Sequence, residues 1–169
     1  LDGVEGFIYN DGSLEDREFK TDDKGQYTFG IINNDQFDVV FRKPDYVPAI
    51  LHLSLDEFNG SQKDNLNLFM NPGDHVLVTG KVMNTDEQKS AIEDVILHVI
   101  DNRTQMVVDS GFTSKYGIYR FALPWDSLAD YSIIASRRGY LSSSVRLNQR
   151  YDKDVNLEMF MDEADFGLS

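Results

Sequence analysis

The chain writes one stretch twice. Thr21-Asp22-Asp23-Lys24-Gly25-Gln26-Tyr27-Thr28-Phe29 returns 92 positions later as Thr113-Ser114-Lys115-Tyr116-Gly117-Ile118-Tyr119-Arg120-Phe121, with Thr, Gly, Tyr and Phe in the same places. A repeat at that spacing commits the chain to two copies of one small unit. Each copy reads as a polar turn with Gly at its tightest point, where a backbone angle other residues resist is needed. A strand follows: Tyr27, Phe29 and Ile31 alternate with Gln26, Thr28 and Gly30, and Tyr119, Phe121 and Leu123 with Ile118, Arg120 and Ala122. Period two sends one set inward and the other outward. Asp22-Asp23-Lys24-Gly25 lacks the spaced carboxylates and closing Glu of a calcium loop, and Ser114-Lys115-Tyr116 has no carboxylate, so both are read as plain turns.

The opening repeats as well. Leu1 to Ile8 lines up with Ile92 to Val99 at an offset of 91. The second copy has an earlier strand, Val76-Leu77-Val78-Thr79-Gly80-Lys81-Val82, with nothing ahead of Leu1 to match it. The first copy is therefore expected to lack its N-terminal strand in this chain, with the parent protein supplying it upstream. Leu14 to Lys20 reads as a short charged edge strand. Phe37, Val39 and Phe41 match Tyr131, Ile133 and Ala135 at an offset of 94, the extra residues falling in the loop Pro124 to Leu128. Leu51 and Leu53 match Val145 and Leu147. Each copy closes with a strand, Leu66, Leu68 and Met70 being aligned with Val155, Leu157 and Met159 at an offset of 89. The linker Asn71-Pro72-Gly73-Asp74 is short and stiffened by Pro72. No stretch carries a 3.6-residue apolar stripe. The expectation is an all-β protein of two antiparallel sandwiches, residues 1–73 and 74–169, with about seven strands in the complete unit.

Composition then removes classes of function. A net charge of −13 repels phosphate backbones and anionic lipid, so nucleic acid is not an expected partner. Without cysteine there is no disulfide, thiolate metal site or cysteine nucleophile. No run approaches the about 18 apolar residues of a membrane span.

The ordered pattern Val78-x-Gly80-x-Val82, Ile92-x-x-Val95-x-Leu97-x-Val99, Thr113-x-x-x-Gly117-x-Tyr119-x-Phe121, Tyr131-x-Ile133 and Gly139-Tyr140 resembles the carboxypeptidase-regulatory-like family, whose fold is transthyretin-like (prealbumin-like). The resemblance covers nearly the whole chain, once in full and once without the first strand. The first copy departs from it at Asp45, where the family has Gly ahead of Tyr46. The resemblance implies a non-catalytic accessory module, often found in Bacteroidetes-type cell-envelope proteins, hence an extracytoplasmic place: periplasm, outer-membrane-associated or cell surface.

Catalytic constellations are not visible. His52, His75 and His98 are scattered over two strands and the linker region, where neither a zinc site nor a triad assembles them. A transthyretin-like subgroup that hydrolyses 5-hydroxyisourate carries a C-terminal Tyr-Arg-Gly-Ser, whereas this chain ends Asp165-Phe166-Gly167-Leu168-Ser169. Lys81 and Asn156 invite comparison with the Lys–Asn isopeptide bonds of Gram-positive adhesins, but the strand Tyr131 to Ser136 offers no acid to move the proton. Neighbouring carboxylates such as Asp22/Asp23 point to opposite faces of a strand and make no glycosidase pair. No catalytic residue, cofactor or metal is therefore expected. Trp125, Arg137, Arg138, Tyr140, Arg146 and Arg150 are the candidate partner-binding residues, because Trp and Arg are enriched at interfaces and the bases gather late in the second copy. The expected role is a structural and protein–protein interaction module of a larger envelope protein, a semi-rigid spacer. Two alternatives stand beside it: a carbohydrate- or peptidoglycan-binding module, and an accessory domain of a secreted peptidase or glycosidase.

Overall fold

Gly25 and Gly117 both sit at positive φ, 75° and 74°, at the turns where the sequence demanded it. The computed structural model describes residues 1–10, 13–30, 36–54, 66–147 and 154–165, with the backbone alone for 13–17 and 54. Every element in that set is a strand. The chain divides into two compact units, Leu1–His75 with Ala122–Pro124, and Val76–Phe121 with Trp125–Ser169.

In the first unit, β1 (Glu5–Asn10), β2 (Ser13–Lys20), β3 (Gln36–Arg42) and β4 (Ala49–Ser54) form one antiparallel sheet in the order β2-β1-β3-β4. The charged segment read as an edge strand is indeed at the edge, as β2. Val4, Ile8, Phe37, Val39, Phe41 and Leu53 form the buried cluster. These are the inward residues of an alternating pattern, and their removal from water is the main stabilising term.

The second unit has seven strands among the described residues: β5 (His75–Asn84), β6 (Ile96–Asp101), β7 (Met106–Phe112), β8 (Ile118–Pro124), β9 (Tyr131–Ser136), β10 (Ser143–Leu147) and β11 (Val155–Met161). One sheet has the order β10-β9-β6-β7, the counterpart of the first unit's sheet strand for strand. The other has the order β11-β5-β8. A Cβ on Gly111 of β7 would lie 3.5 Å from the Phe121 ring on β8, an ordinary packing contact, so the two sheets meet face to face. Arg120, expected outward, is buried, and its Nε donates to Thr79 Oγ1 at 3.2 Å.

The repeat extends to individual hydrogen bonds. Thr21 Oγ1 accepts from Val4 N at 2.9 Å and donates to the Leu1 carbonyl at 2.8 Å; Thr113 Oγ1 accepts from Val95 N at 2.9 Å and donates to the Ile92 carbonyl at 2.7 Å. The Tyr27 hydroxyl donates to the Leu66 carbonyl, and the Tyr119 hydroxyl to the Leu157 carbonyl at 2.7 Å. Asp45, where the family pattern has Gly, takes φ 67°, and its counterpart Gly139 takes φ 91°. Asp tolerates the left-handed region better than most residues, so the departure changes the residue and keeps the turn. After it, Val47 N donates to Asn71 O and Gly73 N to Asp45 O, as Leu141 N does to Asp162 O and Ala164 N to Gly139 O.

Three sequence expectations are corrected. The closing segments align at an offset of 91, not 89: Leu66 corresponds to Leu157 and Met70 to Met161, as the tyrosine bonds and the bridges Tyr46–Pro72 and Tyr140–Glu163 require. A slip of two residues leaves every side chain on its own face, so alternation could not detect it. The sandwich of the second unit is not wholly antiparallel, since β11 runs parallel to β5, with Leu157 beside Gly80 and Met159 beside Val82. First and last strands of a unit point the same way because the rest of the unit intervenes as a long crossover. Finally, Gln26–Gly30 and Leu66–Met70 were expected as strands, yet neither lies in a ladder among the described residues. Their counterparts β8 and β11 flank β5, and no equivalent of β5 lies among the described residues of the first unit.

Candidate interaction site

The candidate residues fall at the two ends of β9. At its start, Trp125 is half-buried with its ring 6.0 Å from that of Tyr131. Arg146 pairs across from Ser132 and is exposed; its Nε donates to Asp130 Oδ1 at 2.9 Å and its Nη2 to Oδ2 at 2.5 Å. Asn102 Nδ2 adds a bond to Asp130 at 2.9 Å. These donors, the Arg146 guanidinium first, hold the Asp130 carboxyl down to about 2. Arg103 binds Asp101 and reaches Asp126, and its guanidinium lowers Asp101 in turn. Arg146 is thus engaged by an acid of its own unit.

Beyond the other end of β9, Arg137 and Arg138 are exposed, and the Arg137 guanidinium stands 6.0 Å over the Tyr140 ring. A six-residue strand separates this group from Trp125 and Arg146, roughly 20 Å at ordinary strand rise. The sequence placed Arg137, Arg138 and Arg146 in one late basic cluster, with Trp125 a separate feature; the fold sets Arg146 near Trp125 at one end of β9 and Arg137 and Arg138 at the other. Arg150 lies outside the described residues.

The histidines stay apart. His52 Nδ1 meets Asp38 Oδ1 at 2.5 Å across β3 and β4, His98 is half-buried on β6, and His75 begins β5. Among the described residues no three His, Asp or Glu side chains gather where a metal ion could be held. Lys81 stands beside Glu158 and Asn156 beside Thr79, with Asn156 and Glu158 exposed. No described helix is long and apolar enough to cross a membrane.

Sequence reasoning missed an aromatic group in the first unit. Phe19 stacks on Tyr27 (5.7 Å) and Phe29 (5.2 Å) and meets Phe41 edge-on (5.6 Å). The sequence signal was Gly6: its partner in the ladder is Phe19, whose ring fills the space a Cβ on Gly6 would need, at 2.1 Å. In the second unit the equivalent pair is Leu97 with Gly111, large and small exchanged. Tyr27, Phe29, Leu66, Leu68 and Met70 are all half-exposed in the first unit. Tyr119, Phe121, Met159 and Met161, the counterparts of Tyr27, Phe29, Leu68 and Met70, are 2%, 3%, 3% and 1% exposed, while Leu157, the counterpart of Leu66, is half-exposed like it.

No protein-family model and no curated protein matches the sequence. Among solved structures the chain is similar to the Bacillus anthracis TIE protein, at 13% identity and a TM-score of 0.45 over 96% of this chain and 31% of that one. It is similar to 3-chlorocatechol 1,2-dioxygenase from Rhodococcus opacus 1CP at 11% identity and a TM-score of 0.40, over 54% of this chain and 60% of that one. Shaft pilin SpaA from Lactobacillus rhamnosus GG gives 13% identity and a TM-score of 0.42, over 98% and 89%. The chain thus spans less than two thirds of the length of the first two. Superpositions this loose carry no activity or partner across. The strands themselves define the class, an all-β protein of several largely antiparallel sheets.

Proposed function

We propose that the chain is a non-catalytic structural and protein–protein interaction module of a larger cell-envelope protein, a semi-rigid spacer made of transthyretin-like units over 1–73 and 74–169. One observation carries the reading. The linker is not slack: Asn71 and Gly73 are hydrogen-bonded to Val47 and Asp45, and Pro72 bridges Tyr46. Only Asp74 then separates the tied segment from β5, which begins at His75. A connection that short has little conformational freedom to lose or to use. Exposed Arg137 and Arg138 with half-buried Tyr140 are the partner surface in this reading, with Trp125, Arg146 and Arg150 subsidiary. An extracytoplasmic place follows from the family resemblance.

The absence of native cysteine makes the test clean. Spin labels on Glu18→Cys and Glu93→Cys report the distance between the units. A single narrow distribution is expected, broadened when four Gly/Ser residues are inserted after Asp74. A distribution already broad in the uninserted chain overturns the spacer.

A further inference from the structure

The two sheets of like order treat the same edge differently. Among the described residues β2 and β7 hold equivalent places, each at the end of its sheet beside β1 or β6. β2 carries Glu15, Asp16, Arg17, Glu18 and Lys20, and Lys20 pairs with Glu5 of β1 at 3.0 Å. Charge along an edge strand discourages another strand from adding to it. In the second unit the counterparts of Lys20 and Glu5 are Phe112 and Ile96, opposite each other and both exposed. Asp109 is the one charged residue of β7. Met106, Val107, Val108 and Phe112 are 64%, 56%, 50% and 67% exposed, so apolar groups meet water along the whole strand. The backbone is turned outward too. Thr113 N donates to the Val95 carbonyl and Thr113 O accepts from Asp94 N, so alternation directs the amides and carbonyls of Phe112 and Ser110 away from β6. Ser110 N accordingly donates to the Asp109 carboxylate at 2.8 Å.

We propose that β7 is a self-association edge, pairing antiparallel with β7 of a second copy of this chain about a two-fold axis at Ser110. The inference is independent of the spacer reading and uses none of Arg137, Arg138 or Tyr140. Self-complementarity selects the second copy. An occupant must bring apolar side chains to Val108 and Phe112, and the axis sets Val108 of each copy opposite Phe112 of the other. An aromatic beside a β-branched residue is a favourable cross-strand pair. The same axis sets Asp109 opposite Gly111, so no two carboxylates face each other, whereas an axis at Asp109 would oppose them. That matters in a chain of net charge −13, whose copies repel wherever acids meet. The outward amides and carbonyls of the two Ser110 residues exchange hydrogen bonds across the axis. The ladder to β6 skips Val108, a bulge that limits regular pairing on that side and centres it on Ser110. A two-fold uses the edge of both copies, so the assembly closes at two.

Sedimentation velocity of the full chain from about 1 to about 200 μM tests the pair, a range suited to an interface at the small end of specific contacts. A monomer at the low end and a dimer at the high end are expected, with amide exchange at Ser110 and Phe112 slowed by at least about threefold in the dimer. Phe112→Lys or Val108→Lys is expected to weaken association by at least about tenfold. Both residues are at least half exposed, so the melting temperature of the dilute chain is expected to stay within about 2 °C. An equimolar mixture of Val108→Lys with Phe112→Glu is expected to regain a dimer, since the axis sets the new charges opposite each other. A chain still monomeric at the top of the range overturns the second copy. A dimer untouched by Phe112→Lys overturns the edge. A mixture no tighter than either variant alone overturns the axis at Ser110.

Discussion

The two units share a turn, a threonine clasp, a tyrosine bond and a four-stranded sheet, yet they differ in how far their cores close. The second buries Tyr119, Phe121, Met159 and Met161 between two sheets, while the first leaves the equivalent residues half in water. The same residue types in the same places are therefore not sufficient for burial. One central strand decides it, because β5 supplies both the ladder that makes β8 and β11 strands and the Val side chains that close over them. Small β units have little core to spare, so losing one strand moves a unit from well packed to open.

That comparison can be broken most forcefully at Gly80. Gly80→Val drives a side chain into the Leu157 carbonyl and should cost about 3–5 kcal/mol, read as a lower urea midpoint for the second unit. A cost below about 1 kcal/mol would mean the space between β8 and β11 can widen, and glycine would cease to mark the strand that fits it. Next come the two threonines. Thr113→Val strands the Val95 amide and the Ile92 carbonyl in a buried place, for about 2 kcal/mol. Thr21→Val should cost less, since its acceptor is the carbonyl of exposed Leu1. Equal losses in denaturation would show that the first unit is as tightly held as the second. The smallest effect sharpens the electrostatic contrast. With Asp130 held near 2, below its unfolded value of about 3.9, the pair contributes stability above the unfolded value that disappears as pH falls through 2. Arg146→Ala should move the NMR-detected Asp130 titration upward while barely shifting the melting temperature at pH 7, because the pair is exposed. An unmoved titration would assign the shift to Asn102.

Much of the fold was legible because it is written in turns and alternation. Gly25 and Gly117 marked the tight turns, Phe37/Val39/Phe41 and Tyr131/Ile133/Ala135 the central strands, and Leu53 and Leu147 their neighbours. What alternation could not convey was register in steps of two, hence the closing strands displaced from 91 to 89. Nor could it convey direction, hence the parallel β11. The candidate site was less legible. Arg137 and Arg146 are near in sequence and far apart in space because β10 runs back along β9, setting Arg146 opposite Ser132 at the start of β9 while Arg137 lies just past its end. Phe19 was hidden by the charges around it in β2, and its meaning appears only opposite Gly6.

The exchanged pair Gly6–Phe19 and Leu97–Gly111 also bears on how two neighbours with the same sheet order fold without trading parts. Were β2 to settle on β6, the Phe19 ring would land on Leu97, which has no hollow to receive it. Were β7 to settle on β1, Gly111 would face Gly6 and leave a hole where a ring belongs. Misassembly between adjacent copies is a characteristic failure of repeated domains. Here each copy carries a lock cut for its own key, and a strand that strays finds either a collision or a void.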